Sequence, residues 1–362
     1  MSSLDEARKE IDAIDKEMAK LFCRRMAAAQ AIAAYKKEHG LSVYDAKRED
    51  AVIARNSALV EDSLIQEYYV SFLRDTMKVS RAYQSRLLKD MRVAFSGTPG
   101  AFAHIAVQKL YPSAEAVPYG DFVSAYRAVE KGECDAVVLP VENSFNGEVG
   151  QVTDLMFSGS LFVNRIMELA VDQDLLGCPD GEISDVKEVI SHPQALGQCA
   201  EYIRKKGFAT REYVNTALAA KYVAETGDKS LAAIASAEAA EIFGLKVLER
   251  NINTERGNTT RFAVMTRAQC PVYEKDEDVI SMLLFTVKHQ AGALVKALDI
   301  IGIYGYNMRV LRSRPVKEKK WQYYFYVEVE GDIRTEKGKT MLDTLKQFCD
   351  SLKIAGTYGK EV

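Results

Sequence analysis

LDEARKEIDAIDKEMAKLFCRRMAAAQAIAAYK, residues 4–36, decides the fold of the first part of the chain. Leu4, Ala7, Ile11, Ile14, Met18, Leu21, Ala28, Ile32 and Tyr35 keep a seven-residue apolar repeat, the signature of a long helix with one buried seam. The slot after Leu21 in that register is Arg25. A guanidinium on a buried seam needs an anionic partner, because an unpaired charge is costly to take out of water. Lys36 follows eleven residues later, about 20° further round at about 3.6 residues per turn, so both cations face one side. Solvation, or pairing with a carboxylate four residues away, is the ordinary fate of a basic residue on a long helix. Two desolvated cations on one face imply instead a small dianion held inside a helical bundle.

After the turn signal His39-Gly40, a second helix begins near Asp45-Ala46 and carries Asp45, Arg48 and Glu49 as one polar stripe. A third helix, about Leu64 to Leu88, presents Ser80 and Gln84 at i, i+4 beside apolar Val70, Leu73, Met77 and Leu87. Together Arg8, Arg25, Lys36, Asp45, Arg48, Glu49, Ser80 and Gln84 match, position by position, the active-site set of the all-helical chorismate mutases, which residues 1–88 resemble. The resemblance implies an interlaced dimer in which Arg8 enters the partner's site. Arg8 and Arg25, seventeen residues apart, stand about 100° apart on a straight helix and so do not share a face. The resemblance further implies that the arginines clamp two carboxylates, that Lys36 and Gln84 donate to the ether oxygen of chorismate, and that Glu49 and the Asp45 region hold the ring hydroxyl. Conversion of chorismate to prephenate is pericyclic. It needs a compact conformer and stabilisation of charge on the breaking ether oxygen, with no nucleophile and no required proton transfer.

A chain of 362 residues exceeds one ordinary core and predicts two or three domains. Its net charge of -3, with acids and bases interspersed, argues against a nucleic-acid platform. The six cysteines, at 23, 134, 178, 199, 270 and 349, form no CxxC pair and the four histidines are scattered, so a reducing cytoplasm with no structural metal and no cofactor is expected. MSSLDEARKE lacks the apolar core of a signal peptide, and no stretch approaches the roughly 18 apolar residues of a membrane span. The expectation is a soluble cytosolic protein.

From Lys89-Asp90 the pattern changes to short strands alternating with helices. MRVAFS reads as a strand, Gly97-Thr98-Pro99-Gly100 as a turn and Ala101 to Leu110 as a helix. DAVVLPVENS, EVISHPQAL and SLAAIASAEAAEIFG repeat the grammar, giving an α/β domain of parallel type. The turns near 97–100, 143–147, 191–194 and 215–216 deliver the chain to helix N-termini, where free N–H groups suit a carboxylate-bearing metabolite, although ordinary capping explains any one of them. Three motifs are more specific: Pro140-Val141-Glu142-Asn143-Ser144 with Gly147, Ser191-His192-Pro193-Gln194-Ala195-Leu196, and Asn258-Thr259-Thr260-Arg261-Phe262. They resemble the prephenate dehydratases over about residues 91–268. That implies two lobes like those of a periplasmic binding protein, with the site between them. Asn143, Ser144, Arg261 and Phe262 are then expected at the substrate, and Thr260 is the implied donor to the leaving hydroxyl. Arg261 organises either the loop or the substrate charge; Glu142 is either an acid or structural; His192 is either an acid or a cap. The family's first motif carries hydroxyls where this chain has Ala101 and Ala103.

Gln269 to Asp278 reads as a charged linker. Beyond it come a strand (VISMLLFTV), a helix from Gly292 to Ile301, two strands (YNMRVLRSRP and WQYYFYVEVEG), a helix from Glu336 to Leu352 and a last short strand. This βαββαβ order is that of a ferredoxin-like α+β module over residues 279–362. Gly292-Ala293-Leu294 and Ser313-Arg314-Pro315 resemble the two effector motifs of ACT regulatory domains, which implies phenylalanine binding at an interface between two copies, with Asn307 also shaping the pocket. The family's glutamate before Ser-Arg-Pro is Arg312 here, a charge reversal.

Taken together, the three segments resemble the bifunctional chorismate mutase/prephenate dehydratases, with chorismate and prephenate as substrates, phenylalanine as effector and at least a homodimer. Two alternatives stand beside this: a mutase fused to a prephenate decarboxylase that keeps the hydroxyl, and an amino-acid-responsive binding protein. The Thr-Arg-Phe motif favours dehydration, and the complete mutase set weighs against a binding protein.

Overall fold

A computed structural model describes residues 4–38, 46–88, 91–255, 257–270, 278–317 and 322–359, in two compact units, Met1–Arg92 and Val93–Val362. The first unit is three helices: α1 (Leu4–Glu38), α2 (Ala46–Ser57) and α3 (Ser63–Leu88). Asp62 caps α3, its Oδ1 accepting from Leu64 N at 2.9 Å and Ile65 N at 3.1 Å. Against α3, α1 buries Ala29 and Ala33, with Leu73 and Met77 buried on the other side. The apolar seam is not what is buried within the chain: Leu4, Ile11, Ile14, Met18, Leu21, Ile32 and Tyr35 are 43–67% exposed. Small residues spaced by four let α3 approach on one side of α1, and the larger heptad residues are left on another.

The second unit begins with β1 (Arg92–Ser96), α4 (Phe102–Leu110), β2 (Glu115–Tyr119), α5 (Phe122–Glu130), β3 (Ala136–Asn143), β4 (Gly147–Glu148), α6 (Gly150–Ser158) and β5 (Phe162–Ala170). The chain then crosses to a second lobe of β6 (Asp174–Gly177), β7 (Glu188–Ser191), α7 (Pro193–Gln198), α8 (Ala200–Lys206), β8 (Ala209–Glu212), α9 (Thr216–Thr226), β9 (Leu231–Ala235), α10 (Ala237–Phe243) and β10 (Lys246–Glu249). It returns to the first lobe as β11 (Thr259–Thr266). Two lobes joined by two crossovers are thus present as expected. The sheets are mixed rather than parallel throughout: β1–β3, β7–β8 and β7–β9 are parallel, but β11 runs antiparallel to β3 and β5, and β6 to β9 and β10. A strand that comes back from the other lobe enters from the opposite end, which reverses its direction.

The C-terminal segment follows the βαββαβ order: β12 (Val279–Val287), α11 (Ala293–Ile303), β13 (Met308–Pro315), β14 (Tyr323–Glu330), α12 (Glu336–Lys346) and β15 (Cys349–Gly359). The last helix stops at Lys346, short of the expected Leu352, and the last strand is long, 11 residues. Pairing with β12 from Val287↔Cys349 to Val279↔Gly359 outweighs the helical propensity of that stretch. The module is continuous with the first lobe, because β15 also pairs with β5 at Gly356↔Val163 and completes the order β13-β14-β12-β15-β5-β11-β3-β1-β2. Glycine is required there, since a Cβ on Gly356 would lie 2.0 Å from the Val163 carbonyl oxygen. The sheet curls over, burying Met282, Leu284, Tyr324 and Tyr326 in one core with Val137, Leu139, Ala263 and Met265. On its other face α11 and α12 cover Leu283, Phe285, Val327 and Val329. No helix among the described residues is long and apolar enough to cross a membrane.

Candidate active sites

In the helical unit, Arg25 Nη1 donates to the Thr76 carbonyl at 3.3 Å and to Ser80 Oγ. Burial lowers the Arg25 guanidinium below its ordinary value, although it stays charged at neutral pH. Ser80 and Gln84 are 5% and 8% exposed, and the buried Gln84 Oε1 has no hydrogen-bond partner among the described residues. Arg25 and Ser80 therefore meet between α1 and α3, and Gln84 is buried one turn further along α3. Glu49 on α2 is gripped through both oxygens by Arg81 of α3. Sequence reasoning passed over Arg81, which its helix position does not distinguish from Arg74 or Arg86. Arg8 is exposed on the uncovered part of α1 and pairs with Asp5 at 3.6 Å, and Arg48 is exposed on α2. The Lys36 side chain and the whole of Asp45 lie outside the described residues.

In the second unit, a cleft of about 340 Å³ opens between the lobes. Asn143, at the end of β3, and Thr260, at the start of β11, are register partners on its floor. Asn143 Nδ2 donates to Thr260 Oγ1 at 3.0 Å, to Asn258 Oδ1 at 2.7 Å and to the Thr259 carbonyl at 3.1 Å. Its Oδ1 accepts from Phe145 N (3.1 Å), Asn146 N (3.0 Å) and Asn146 Nδ2 (2.8 Å), which fixes the orientation of the amide. Because Thr260 Oγ1 accepts from Asn143, its own proton is left to donate into the cleft. Phe262, 2% exposed, lines the same floor.

Further residues line the cleft, of which Gln173 and Gln198 were not singled out from sequence. Gln173 sits in the first crossover and is 3% exposed, and Asn258 is 4% exposed; among the described residues Gln173 Oε1 and Asn258 Nδ2 have no hydrogen-bond partner. Gln198 faces Gln173 at 3.4 Å. No periodicity marks a crossover residue, so Gln173 gave no signal. Ala101 and Ala103 line the cleft as methyl groups, and Ala101, the N-cap of α4, supplies no side-chain acceptor, so the first-turn N–H groups of α4 stay uncapped. His192 caps α7 by accepting from Gln194 N at 3.2 Å, and Asn215 caps α9 by accepting from Leu218 N at 2.7 Å.

Two expected substrate contacts are corrected. Ser144 Oγ donates to the Gly257 carbonyl at 3.3 Å and accepts from Thr259 N at 3.0 Å, stitching two loops together outside the cleft lining. Arg261 projects from the opposite face of β11 to Thr260, as strand alternation demands. Its Nη1 and Nη2 donate to the two Glu328 oxygens at 3.1 Å each, with Glu142 Oε2 at 3.1 Å and Tyr358 OH at 3.2 Å. Burial alone would lower this guanidinium, but the Glu328 carboxylate more than offsets that and raises it. Arg261 organises the structure behind the cleft and does not reach into it.

Two family models match in chain order: chorismate mutase type II over residues 7–85 and prephenate dehydratase over residues 93–270. The bifunctional chorismate mutase/prephenate dehydratase of Aquifex aeolicus (strain VF5) is 30% identical over 367 residues, covering 99% of both chains. This chain belongs to the bifunctional chorismate mutase/prephenate dehydratase family. It is an enzyme with both activities. Arogenate dehydratase 2 of Petunia hybrida is 34% identical over 74% of this chain and 71% of its own. Among solved structures, the prephenate dehydratase of Arthrobacter aurescens in complex with L-Phe has a TM-score of 0.68 at 24% identity, covering 75% of this chain and 90% of its own, which shows the shared fold.

The bifunctional enzyme's expected effector residues are spread along its C-terminal segment. Gly292 caps α11 in the left-handed conformation (φ 78°), which favours glycine, followed by buried Ala293 and half-buried Leu294. Ser313 is exposed on β13 opposite Phe325, at the end of the sheet that leads into Gly292. Asn307 lies at the other end, six residues away or about 20 Å of extended strand, donating to Glu330 Oε2 at 3.0 Å. Within one chain Asn307 does not join the others. Arg312 points away from Ser313, toward the dehydratase lobe, where it pairs with Glu142 and lies over the Tyr326 ring at 5.8 Å.

Proposed function

We propose that the dehydratase reaction takes place in the cleft between the lobes, with the Thr260 hydroxyl as donor to the leaving group. The observation that carries this is the Asn143–Thr260 hydrogen bond, which uses the threonine as acceptor and leaves its proton to donate. As the ring carboxylate leaves as CO2, its electron pair aromatises the ring and the departing hydroxide takes up a proton to become water. Thr260 would hydrogen-bond or protonate that oxygen. A threonine is a weak acid, so the contribution lies in positioning. The uncapped N-terminus of α4 offers N–H groups to a substrate carboxylate, and Gln173 and Asn258 offer unpartnered polar groups to the rest of the substrate.

For the mutase, chorismate would bind between α1 and α3 at Arg25, Ser80 and Gln84, with Lys36, Arg48, Glu49 and Asp45 completing the site. The exposed apolar seam of α1 would be covered by a second copy, bringing Arg8 across to its partner's site. Phenylalanine would bind outside the cleft at Gly292, Ala293, Leu294 and Ser313 of one copy with Asn307 of another, and inhibit the dehydratase. A coupled assay on chorismate, with and without phenylalanine, tests the whole. Thr260→Val should let prephenate accumulate, lowering phenylpyruvate formation by about 10²-fold or more with the mutase rate unchanged. Equal loss of both activities, or none, would count against the cleft.

A further inference from the structure

The side of β3 and β11 that faces away from the cleft carries a charged cluster that neither activity uses directly. Arg261 and Glu142 are register partners there, one residue along from the Thr260–Asn143 pair on the cleft side. The C-terminal segment supplies the rest. Glu328 on β14, 1% exposed, accepts both ends of the Arg261 fork, and Tyr326 OH donates to Glu328 Oε1 at 2.5 Å. Arg312 on β13 donates to Glu142 Oε1, while Arg261 holds Glu142 Oε2 at 3.1 Å. Two arginines and two glutamates balance in charge, and each Glu142 oxygen has a guanidinium.

We propose that Glu142 is a positioning residue of the dehydratase cleft and that Arg312 of the C-terminal segment holds it there, so that this segment completes the site from behind. Both carboxylate oxygens of Glu142 are committed on the side away from the cleft, which removes it as a proton donor to substrate. Its leverage comes from its place in the chain. Asn143 is the last residue of β3, just beyond an irregularity in the β3–β11 register at Val141, where the ladder is interrupted. The end of β3 is held by short β4 on one side and by the first residues of β11 on the other. Anchoring the Glu142 side chain fixes the peptide that carries Asn143, and Asn143 in turn orients Thr260. A shift of about 1 Å in such a group can lower a rate by about 10²-fold.

The proposal rests on the assignment of dehydration to this cleft. Steady-state kinetics on prephenate with the full-length chain would compare Arg312→Gln, Arg312→Lys, Glu142→Gln and the Arg312→Gln/Glu142→Gln double variant, with near-ultraviolet circular dichroism reporting the fold of each. We expect Arg312→Gln to lower kcat about tenfold with KM changed less than about twofold, the mark of lost positioning. Arg312→Lys, which keeps the charge, should recover most of the rate. The double variant should be no slower than Glu142→Gln alone, because the two residues act through one contact. A wild-type kcat in Arg312→Gln, equal loss in Arg312→Gln and Arg312→Lys, or losses that multiply in the double variant would overturn the proposal. Thr260→Val separates the two ideas: full dehydratase activity in that variant removes the cleft assignment, whereas its collapse beside an unaffected Arg312→Gln removes only the role of Arg312.

Discussion

Replacing Arg261 by Met should destabilise the second unit far more than an ordinary surface arginine would. The side chain makes two bonds to Glu328, one to Glu142 and one to Tyr358, all between 3.1 and 3.2 Å. It ties β11 to β14 although β5, β15 and β12 lie between them in the sheet. Glu328 is 1% exposed, so without Arg261 its charge stays buried with the Tyr326 hydroxyl as its remaining donor among these groups. Stranding one member of a buried pair costs about 3–5 kcal/mol. The apolar methionine recovers part of the lost packing, so about 3 kcal/mol is expected, which at an m-value of about 3 kcal/mol/M lowers the urea midpoint by about 1 M. Neutralising the stranded carboxylate should return part of this, so Arg261→Met/Glu328→Gln should be more stable than Arg261→Met. Urea unfolding followed by near-ultraviolet circular dichroism would measure the midpoints, with mutase activity reporting separately on the helical unit. An Arg261→Met midpoint within about 0.2 M of wild type, or a double variant less stable than the single one, would refute the claim that the Arg261–Glu328 pair is what bridges the curled sheet.

Two further outcomes are expected. Chains carrying Arg8→Ala and chains carrying Arg25→Ala should each lose mutase activity and regain part of it when mixed under conditions of proven subunit exchange, since a mixed dimer holds one intact site; no recovery would exclude a site shared between copies. Burial, with Asp174 adding to it, pushes the Cys199 thiol from 9.0 up to about 12. The unfolded chain loses that proton first, so the stabilising contribution is full below pH 9 and falls as the pH rises toward 12, by up to about 2 kcal/mol at about pH 10.5. Cys199→Ala should show a smaller loss of stability than wild type between pH 8 and that point, and equal losses would show that the thiol does not titrate this way.

Much of the chemistry was legible because it rests on residue type at fixed spacing. Arg25, Ser80 and Gln84 stood out as polar groups on packing faces; Arg25 and Ser80 meet between α1 and α3, and Gln84 is buried. Thr260 and Asn143 lay in motifs whose order along the chain gave the cleft. Motif adjacency was also the source of the errors. Treating Thr260, Arg261 and Phe262 as one group ignored the alternation of a strand, which turns Arg261 to the side opposite its neighbours. Gln173 and Arg81 carry no pattern at all, because what selects them is contact across the fold: Gln173 lies in a crossover, and Arg81 is distinguished only by Glu49 on another helix. The heptad on α1 was read correctly as an apolar stripe. Within the chain that stripe is not buried, and Leu21 stands 57% exposed where a buried seam was expected.

The same alternation gives a physical route between the C-terminal segment and the cleft. On β13, Arg312 and Arg314 point toward the dehydratase lobe, while Leu311 and Ser313 are exposed on the other side. Arg312 reaches Glu142, and Arg314 reaches Asp154 at 2.9 Å and Glu148 at 3.7 Å, fitting over Gly150, where a Cβ would lie 1.9 Å from its Nη1. Glu148 lines the cleft, and Glu142 adjoins Asn143 on the cleft floor. An effector that pulls on the outer side of β13, as proposed for phenylalanine at Ser313, therefore acts one residue from each arginine that braces the catalytic lobe. A strand is stiff along its length, so a small displacement of β13 must either carry both arginines with it or break their ion pairs. If an effector on the outer side favoured one position of β13, as proposed, it would bias these ion pairs and through them the cleft. Linkage then requires the coupling to run both ways: whatever factor phenylalanine imposes on prephenate binding, prephenate imposes on phenylalanine.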